Sequence, residues 1–184
     1  MPASAITNCA VSRRGVMHCA IAVVAMAASG ITWAQQGSKT IALMNFELID
    51  ETGDIASIAA QNMRLNNINR QLRAAFVENG MYTVVDNSPA GLTISDMENR
   101  LALHDCSGCD VVIGRELNTD RVLTAWVQKV SNLILNINIR IRDVRTGEIK
   151  LSKSVDIRGN TDESWRRGVA YMVRSMVEQN QTNL

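Results

Sequence analysis

The 184-residue chain is short of nearly everything from which an enzyme signature is built. It holds two histidines, His18 and His104, and four cysteines. No nucleophile-elbow glycine pattern is present, so a Ser–His–Asp relay of that type is excluded. No glycine-rich phosphate loop is present either. A basic stripe is lacking, and the formal net charge is only +1, which argues against a nucleic-acid partner. Beyond the N-terminal segment no apolar run approaches the ~20 residues of a membrane-spanning helix. Aromatic residues make up 4%, so the core must rest on Ile, Leu, Val and Met. Internal repeats and long low-complexity tracts are absent.

What is present begins at the N-terminus. Arg13 and Arg14 precede an uncharged run from Gly15 to Ala34, apolar throughout from Ala20 to Ala28. Thr32-Trp33-Ala34 then supplies a small-x-small pattern. Residues 1–34 read as a secretory signal cleaved before Gln35, which places the protein in the periplasm. The apolar centre is too short for an anchor. Ser12-Arg13-Arg14 resembles the start of a twin-arginine signal, but Gly15, Val16, Met17 and His18 fit it poorly, so Sec export is preferred. Cys19 lies before the apolar run, where a lipidated cysteine would follow it. Cleavage removes Cys9, Cys19, His18 and two arginines. Seventeen basic residues then face eighteen acidic ones, a net charge of −1. The 150 residues left suffice for one domain that needs no disulfide to fold.

Hydrophobic periodicity predicts the path of the chain. Residues 35–39 form a flexible leader, 40–178 a single α/β domain, and 179–184 a frayed tail. Thr40 to Leu48 is a strand whose run Ile41-Ala42-Leu43-Met44 needs cover on both faces. A helix follows from Ile55 to Asn79, with Ile58, Leu65, Ile68, Leu72, Ala75 and Phe76 on one face and Gly80 as its left-handed stop. Tyr82 to Asp86 is a second strand. Ser95 and Glu98 have capping-box spacing for a short helix through Leu103, which Cys106-Ser107-Gly108-Cys109 interrupts. Arg121 to Val130 is a strand. Leu133, Leu135, Ile137, Ile139 and Ile141 then alternate with Ile134, Asn136, Asn138, Arg140 and Arg142, a half-buried antiparallel strand. After a turn at Thr146-Gly147 comes a strand from Glu148 to Ile157. Asn160 and Glu163 have the spacing to cap a last helix with Trp165, Val169, Met172, Val173 and Met176 inward. The order β-α-β-α-β-β-β-α implies a mixed sheet with a C-terminal antiparallel meander and helices packed on it.

Three stretches carry a resemblance. Thr40-Ile41-Ala42-Leu43-Met44-Asn45-Phe46-Glu47 resembles the opening strand of TolB N-terminal and CsgG-like periplasmic domains. Leu117-Asn118-Thr119-Asp120-Arg121-Val122-Leu123 resembles that group's L-G-A-D-Y-V-L segment, with Asn118 where glycine is usual. Asp143-Val144-Arg145-Thr146-Gly147-Glu148-Ile149 resembles its D-V-x-T-G-E-I hairpin. More narrowly, Trp126 to Asn136 and Asp156 to Gly168 resemble a family of secreted bacterial proteins of unknown function. The resemblance implies a binding or envelope-assembly role. It also leaves room for an accessory factor of a periplasmic oxidoreductase system.

The residues themselves offer two candidate sites. Cys106 and Cys109 read as a structural disulfide, with a redox-active pair and, with His104, a metal site as the less favoured readings. A structural zinc site usually takes four Cys/His ligands, one more than the mature chain holds. No metal and no cofactor is therefore assigned. The second candidate is a partner surface: Asn136, Asn138, Arg140 and Arg142 on the polar strand face, and Arg158, Asp162, Glu163, Arg166 and Arg167 around the last helix start. A capped helix with a solvated face is the favoured account of the latter group, a plain solvent-facing sheet accounts equally well for the former, and Trp165 reads as a core anchor. The preferred function is a non-catalytic periplasmic binding protein, with an unidentified protein as partner. Thiol–disulfide exchange through Cys106 and Cys109 is the alternative.

Overall fold

Ile41, Ala42, Leu43 and Met44 are all buried, and four consecutive apolar side chains can be buried only if both faces of their strand are covered. The computed structural model describes residues 38–182 and shows that cover. The secretory-signal reading of residues 1–34 lies outside the described residues. Strand β1 (Thr40–Asp50) is followed by a one-turn 3-10 segment at Ile55–Ser57 and helix α1 (Ile58–Glu78). Strand β2 (Thr83–Val84), helices α2 (Gly91–Arg100) and α3 (Cys109–Glu116), and strand β3 (Arg121–Lys129) come next. Strands β4 (Ile134–Asp143) and β5 (Ile149–Arg158) and helix α4 (Asp162–Thr182) complete the fold. The sheet order is β2-β1-β3-β4-β5. β1 runs parallel to β2 and β3, and β3-β4-β5 is an antiparallel meander.

The two faces of the sheet carry separate apolar clusters. Ile41, Leu43 and Phe46 join Ile68, Leu72 and Phe76 of α1 and Trp165, Val169, Met172, Val173 and Met176 of α4. Ala42, Met44, Val122 and Val144 pack against Ala90, Leu103 and Ile113 on the α2–α3 side. Residue parity along β1 changes midway, because the β1–β3 register shifts between Leu43 and Phe46. Such a bulge inserts one residue and turns the following side chains over. Phe46 therefore shares a face with Leu43, and its N–H, just past the bulge at Met44 and Asn45, donates to Asn69 Oδ1 at 2.7 Å. The same shift aims Glu47 toward the α2–α3 side, where it bonds.

Several expected boundaries move. β1 extends two residues further than Leu48, and β2 is only two residues long. Ser95 is no cap. Asn87-Ser88-Pro89 already turns into a 3-10 segment at Ser88–Ala90, so α2 starts at Gly91 and Ser95 lies inside it. Ile58 is half exposed, whereas Gln61 is buried on that face of α1. Leu133 is 72% exposed in the β3–β4 turn, and the buried alternation begins at Leu135. α4 continues to Thr182, into the tail expected from residue 179. Gly80 has φ +59, as a left-handed stop requires, and Asn118 takes φ +51 in place of the usual glycine.

Candidate functional site

The junction of β5 and α4 starts from a cap that the sequence reading misplaced by one residue. Thr161 Oγ1 accepts from Ser164 N at 3.2 Å, and Ser164 Oγ accepts from Thr161 N at 3.2 Å. This reciprocal pair is the capping box, so Asn160 and Glu163 are freed for other partners. Asn160 Oδ1 accepts from Trp165 Nε1 at 3.0 Å and from Arg64 Nη1 at 3.2 Å, and its Nδ2 donates to Asn132 Oδ1 at 3.3 Å. One side chain thus ties α1, α4 and the β3–β4 turn together. Trp165 is fully buried, as expected of a core anchor.

Glu163 takes both arginines that the sequence offered to a partner. Arg166 grips it with Nε and Nη2 at 2.8 and 2.7 Å, and Arg167 Nε reaches it at 2.5 Å. Hydrogen bonds from Arg166 and then Arg167 pull the Glu163 carboxyl down to about 2. Asp162 pairs with Arg64 at 2.7 Å. Arg158 makes no ion pair and is exposed. Beside these groups a groove of ≈ 640 Å³ runs between β5 and α4, lined by Asp156, Arg158, Glu163, Arg167 and Tyr171 among others. Its floor depends on Gly168. A methyl there would lie 2.6 Å from Ile157 Cγ2 and 2.7 Å from Ile137 Cδ1. The groove borders the outer edge of β5, which pairs only with β4 among the described residues. An edge strand presents a row of unpaired N–H and C=O groups.

The polar side chains of β4 find their partners within the protein. Asn136 Nδ2 donates to Asp156 Oδ1, its cross-strand neighbour, and Asn138 Nδ2 reaches only the Asn136 carbonyl. Arg140 and Arg142 lie under the segment between α2 and α3, which corrects their placement on an open face. Arg140 Nη2 donates to the His104 carbonyl at 3.0 Å, and its guanidinium sits 5.7 Å from the Trp126 ring centre. Burial, and then the neighbouring Arg142, lower the Arg140 pKa. Arg142 Nε lies 3.3 Å from Oδ2 of the fully buried Asp110.

The same segment holds the cysteines. Cys106 and Cys109 form a disulfide with Cα atoms 5.6 Å apart, leading into α3 from Gly108 at φ +97. His104 is fixed from the sheet side: Glu47 accepts from Leu103 N at 2.6 Å and His104 N at 2.9 Å, and meets His104 Nδ1 at 2.6 Å. The imidazole stacks on Trp126, with centres 5.7 Å apart. His104 and both sulfurs are thus engaged within the protein, and no group of three metal-binding side chains occurs among the described residues.

Sequence reasoning missed one buried polar cluster. Lys129, at the end of β3, is fully buried. Its Nζ donates to Asp50 Oδ2 at 2.9 Å and Thr52 Oγ1 at 3.0 Å, and Gln61 Nε2 donates to the same Asp50 oxygen at 2.9 Å. Burial opposes the Asp50 charge, but hydrogen bonds from Thr52, Lys129 and Gln61 hold its carboxyl well below the usual range. Gln61 falling on the apolar face of α1 was the available signal.

No helix among the described residues is long and apolar enough to cross a membrane. No curated protein is similar enough in sequence to match this chain. Among solved structures it is similar to the LpoB C-terminal domain from Salmonella enterica, at 17% identity over 66% of this chain and 84% of that one, TM-score 0.49. It is similar to lipoprotein GNA1162 from Neisseria meningitidis, at 19% identity over 79% and 97%, TM-score 0.42. The PelC dodecamer from Paraburkholderia phytofirmans matches at 13% identity over 73% and 85%, TM-score 0.41. At these scores none of the three speaks to function, and none is a TolB or CsgG domain. The sequence family is another matter: residues 39–177 match the DUF3280 model, described as "Protein of unknown function (DUF2380)", and the chain belongs to that family.

Proposed function

We propose that the protein is a non-catalytic binding or accessory protein of the bacterial envelope, exported to the periplasm, that holds a partner protein along the outer edge of β5. The open ten-residue edge of β5, beside the β5–α4 groove, carries this reading. An extended partner segment can add to such an edge through main-chain hydrogen bonds, with side chains seated in the adjoining groove. Arg158 offers that segment a free guanidinium. The secretory signal read in residues 1–34 and the resemblance of three stretches to TolB N-terminal and CsgG-like domains support the setting. So does the disulfide, which persists in oxidising compartments. The test is site-specific photo-crosslinking in intact cells. A photoreactive residue at the exposed Ser154 should trap a discrete partner, whereas one at the exposed Asp96 of α2 should not. Identical adducts from both positions, or none from Ser154, would reject the β5 edge.

A second reading uses Cys106 and Cys109 for thiol–disulfide exchange, favoured by their position at the start of α3, where a helix N-terminus lowers a thiol pKa. The double substitution Cys106→Ser with Cys109→Ser separates the two. A structural disulfide in so small a ring costs no more than about 2 kcal/mol on removal and leaves partner capture intact.

A further inference from the structure

The chain holds seventeen Lys and Arg residues after Arg14, and all lie among the described residues. Most have partners. Arg64, Arg100, Arg121, Lys129, Arg142, Lys150, Arg166 and Arg167 form ion pairs. Arg70, Arg73, Arg140 and Lys153 donate hydrogen bonds, and Arg174 lies over the Tyr171 ring. Among the described residues, four side chains form no ion pair, side-chain hydrogen bond or ring contact: Lys39, Arg115, Arg145 and Arg158. Three of these four, Lys39, Arg115 and Arg145, line one cleft of ≈ 570 Å³. The cleft lies where β1, β3 and β5 begin, the opposite end of the sheet from the close of β5 at Arg158. In a chain with acidic and basic residues nearly balanced, that concentration of unpaired cations is a local surplus.

The acids in the cleft do not cancel it. Asp143 accepts from the buried Arg121 at 2.5 Å and from Arg145 N and Thr146 N at 3.0 and 2.9 Å. Asp120 Oδ2 accepts from Thr40 N at 2.8 Å and Thr40 Oγ1 at 2.9 Å. Asp143 is committed to Arg121, while Asp120 is exposed and, after the hydrogen bonds from Thr40, Lys39 helps to lower its pKa; four cations against two acids still leave the lining positive. The three cations come from three separate elements: the approach to β1, the last turn of α3 and the β4–β5 turn. α3 presents its C-terminal end here, the negative end of the helix dipole, which disfavours a compact dianion. Single negative charges spaced along a chain avoid that penalty, and guanidinium forks suit carboxylates.

We propose that this cleft binds an acidic peptide segment of a partner protein, with Lys39, Arg115 and Arg145 each facing a carboxylate. The proposal rests on the reading of the chain as a protein-binding module and adds a second contact, at the other end of the sheet from the β5–α4 groove. The probe is a fluorescein-labelled peptide of six glutamates between glycine–serine flanks, titrated with the full exported chain and read by anisotropy. Saturable binding that weakens with salt is expected. Arg115→Glu with Arg145→Glu should weaken it about tenfold or more. Arg115→Gln with Arg145→Gln should weaken it less, and Arg70→Glu, at an exposed position of α1 outside both proposed contacts, should leave it unchanged. Arg115 and Arg145 are exposed, so thermal melts of the variants should match the parent. The proposal is overturned if the glutamate peptide fails to bind, if the charge-reversed double variant binds it equally, or if a hexalysine peptide binds as well. Inorganic phosphate displacing the peptide at equal concentration would assign the cleft to a compact anion and overturn the peptide. Crosslinking at Ser154 is independent of all these outcomes, so loss of the cleft leaves the partner reading standing.

Discussion

Lys129 makes three hydrogen bonds while fully buried, and nothing in its sequence neighbourhood announces it. A lysine ending a strand normally reads as a solvated tip, because its ammonium prefers water. Here the last residue of β1, Asp50, and the chain that folds back after it, with Thr52 and Ser57, meet it. Removing one partner of a buried pair leaves the other charge without compensation. Asp50→Ala should therefore lower stability by about 3 kcal/mol, read from urea midpoints at unchanged slope. A loss below about 1 kcal/mol would mean that water reaches Lys129. Arg166 and Arg167 teach the converse. Side chains that look available in the sequence are bound by Glu163 one helical turn earlier, at the three- and four-residue spacings at which helix neighbours meet.

At the scale of elements, periodicity located nearly every helix and strand, since burial on one side leaves a repeating mark. The inward set of α4 and the alternation Leu135 to Ile141 were legible for that reason. Caps were less legible, because Asn160 and Thr161 are both good cap residues and only the entry angle of the chain selects Thr161. The bulge in β1 left no pattern at all, and with it went the chance of seeing that Glu47 reaches His104. The β5–α4 groove was legible as a charged stretch, Asp156 to Arg167, but its shape depends on a glycine. Gly168→Ala tests that closeness. Overpacking costs about 1–3 kcal/mol, against a helix-propensity gain of about 1 kcal/mol for losing a glycine. A net loss of about 1 kcal/mol in denaturant titration is expected. A gain would mean that Ile137 and Ile157 step aside freely.

For the whole molecule, the carboxylates set the response to acid. Asp50, Asp86, Asp120, Asp143, Glu148 and Glu163 all have folded pKa values below their ordinary ones. A depressed carboxyl stabilises the fold above its unfolded pKa, and the contribution is lost as pH falls through the folded value. Glu98 shifts upward, through burial and then Glu47, and so opposes the trend. The melting temperature should stay level from pH 7 to about 5 and then fall between about pH 4 and 2. A melting temperature that holds to pH 2 would contradict the assigned pairs.

The two apolar clusters flanking the sheet are unequal: among the described residues, nineteen buried side chains lie on the α1–α4 side and seven on the α2–α3 side. A cooperative unit opens more readily the less buried apolar contact holds it shut. The thinner layer is therefore expected to open first in native conditions, against the Glu47 hydrogen bonds that tie Leu103 and His104 to the sheet. The thicker layer, which carries the β5–α4 groove, keeps its shape while the opposite layer breathes.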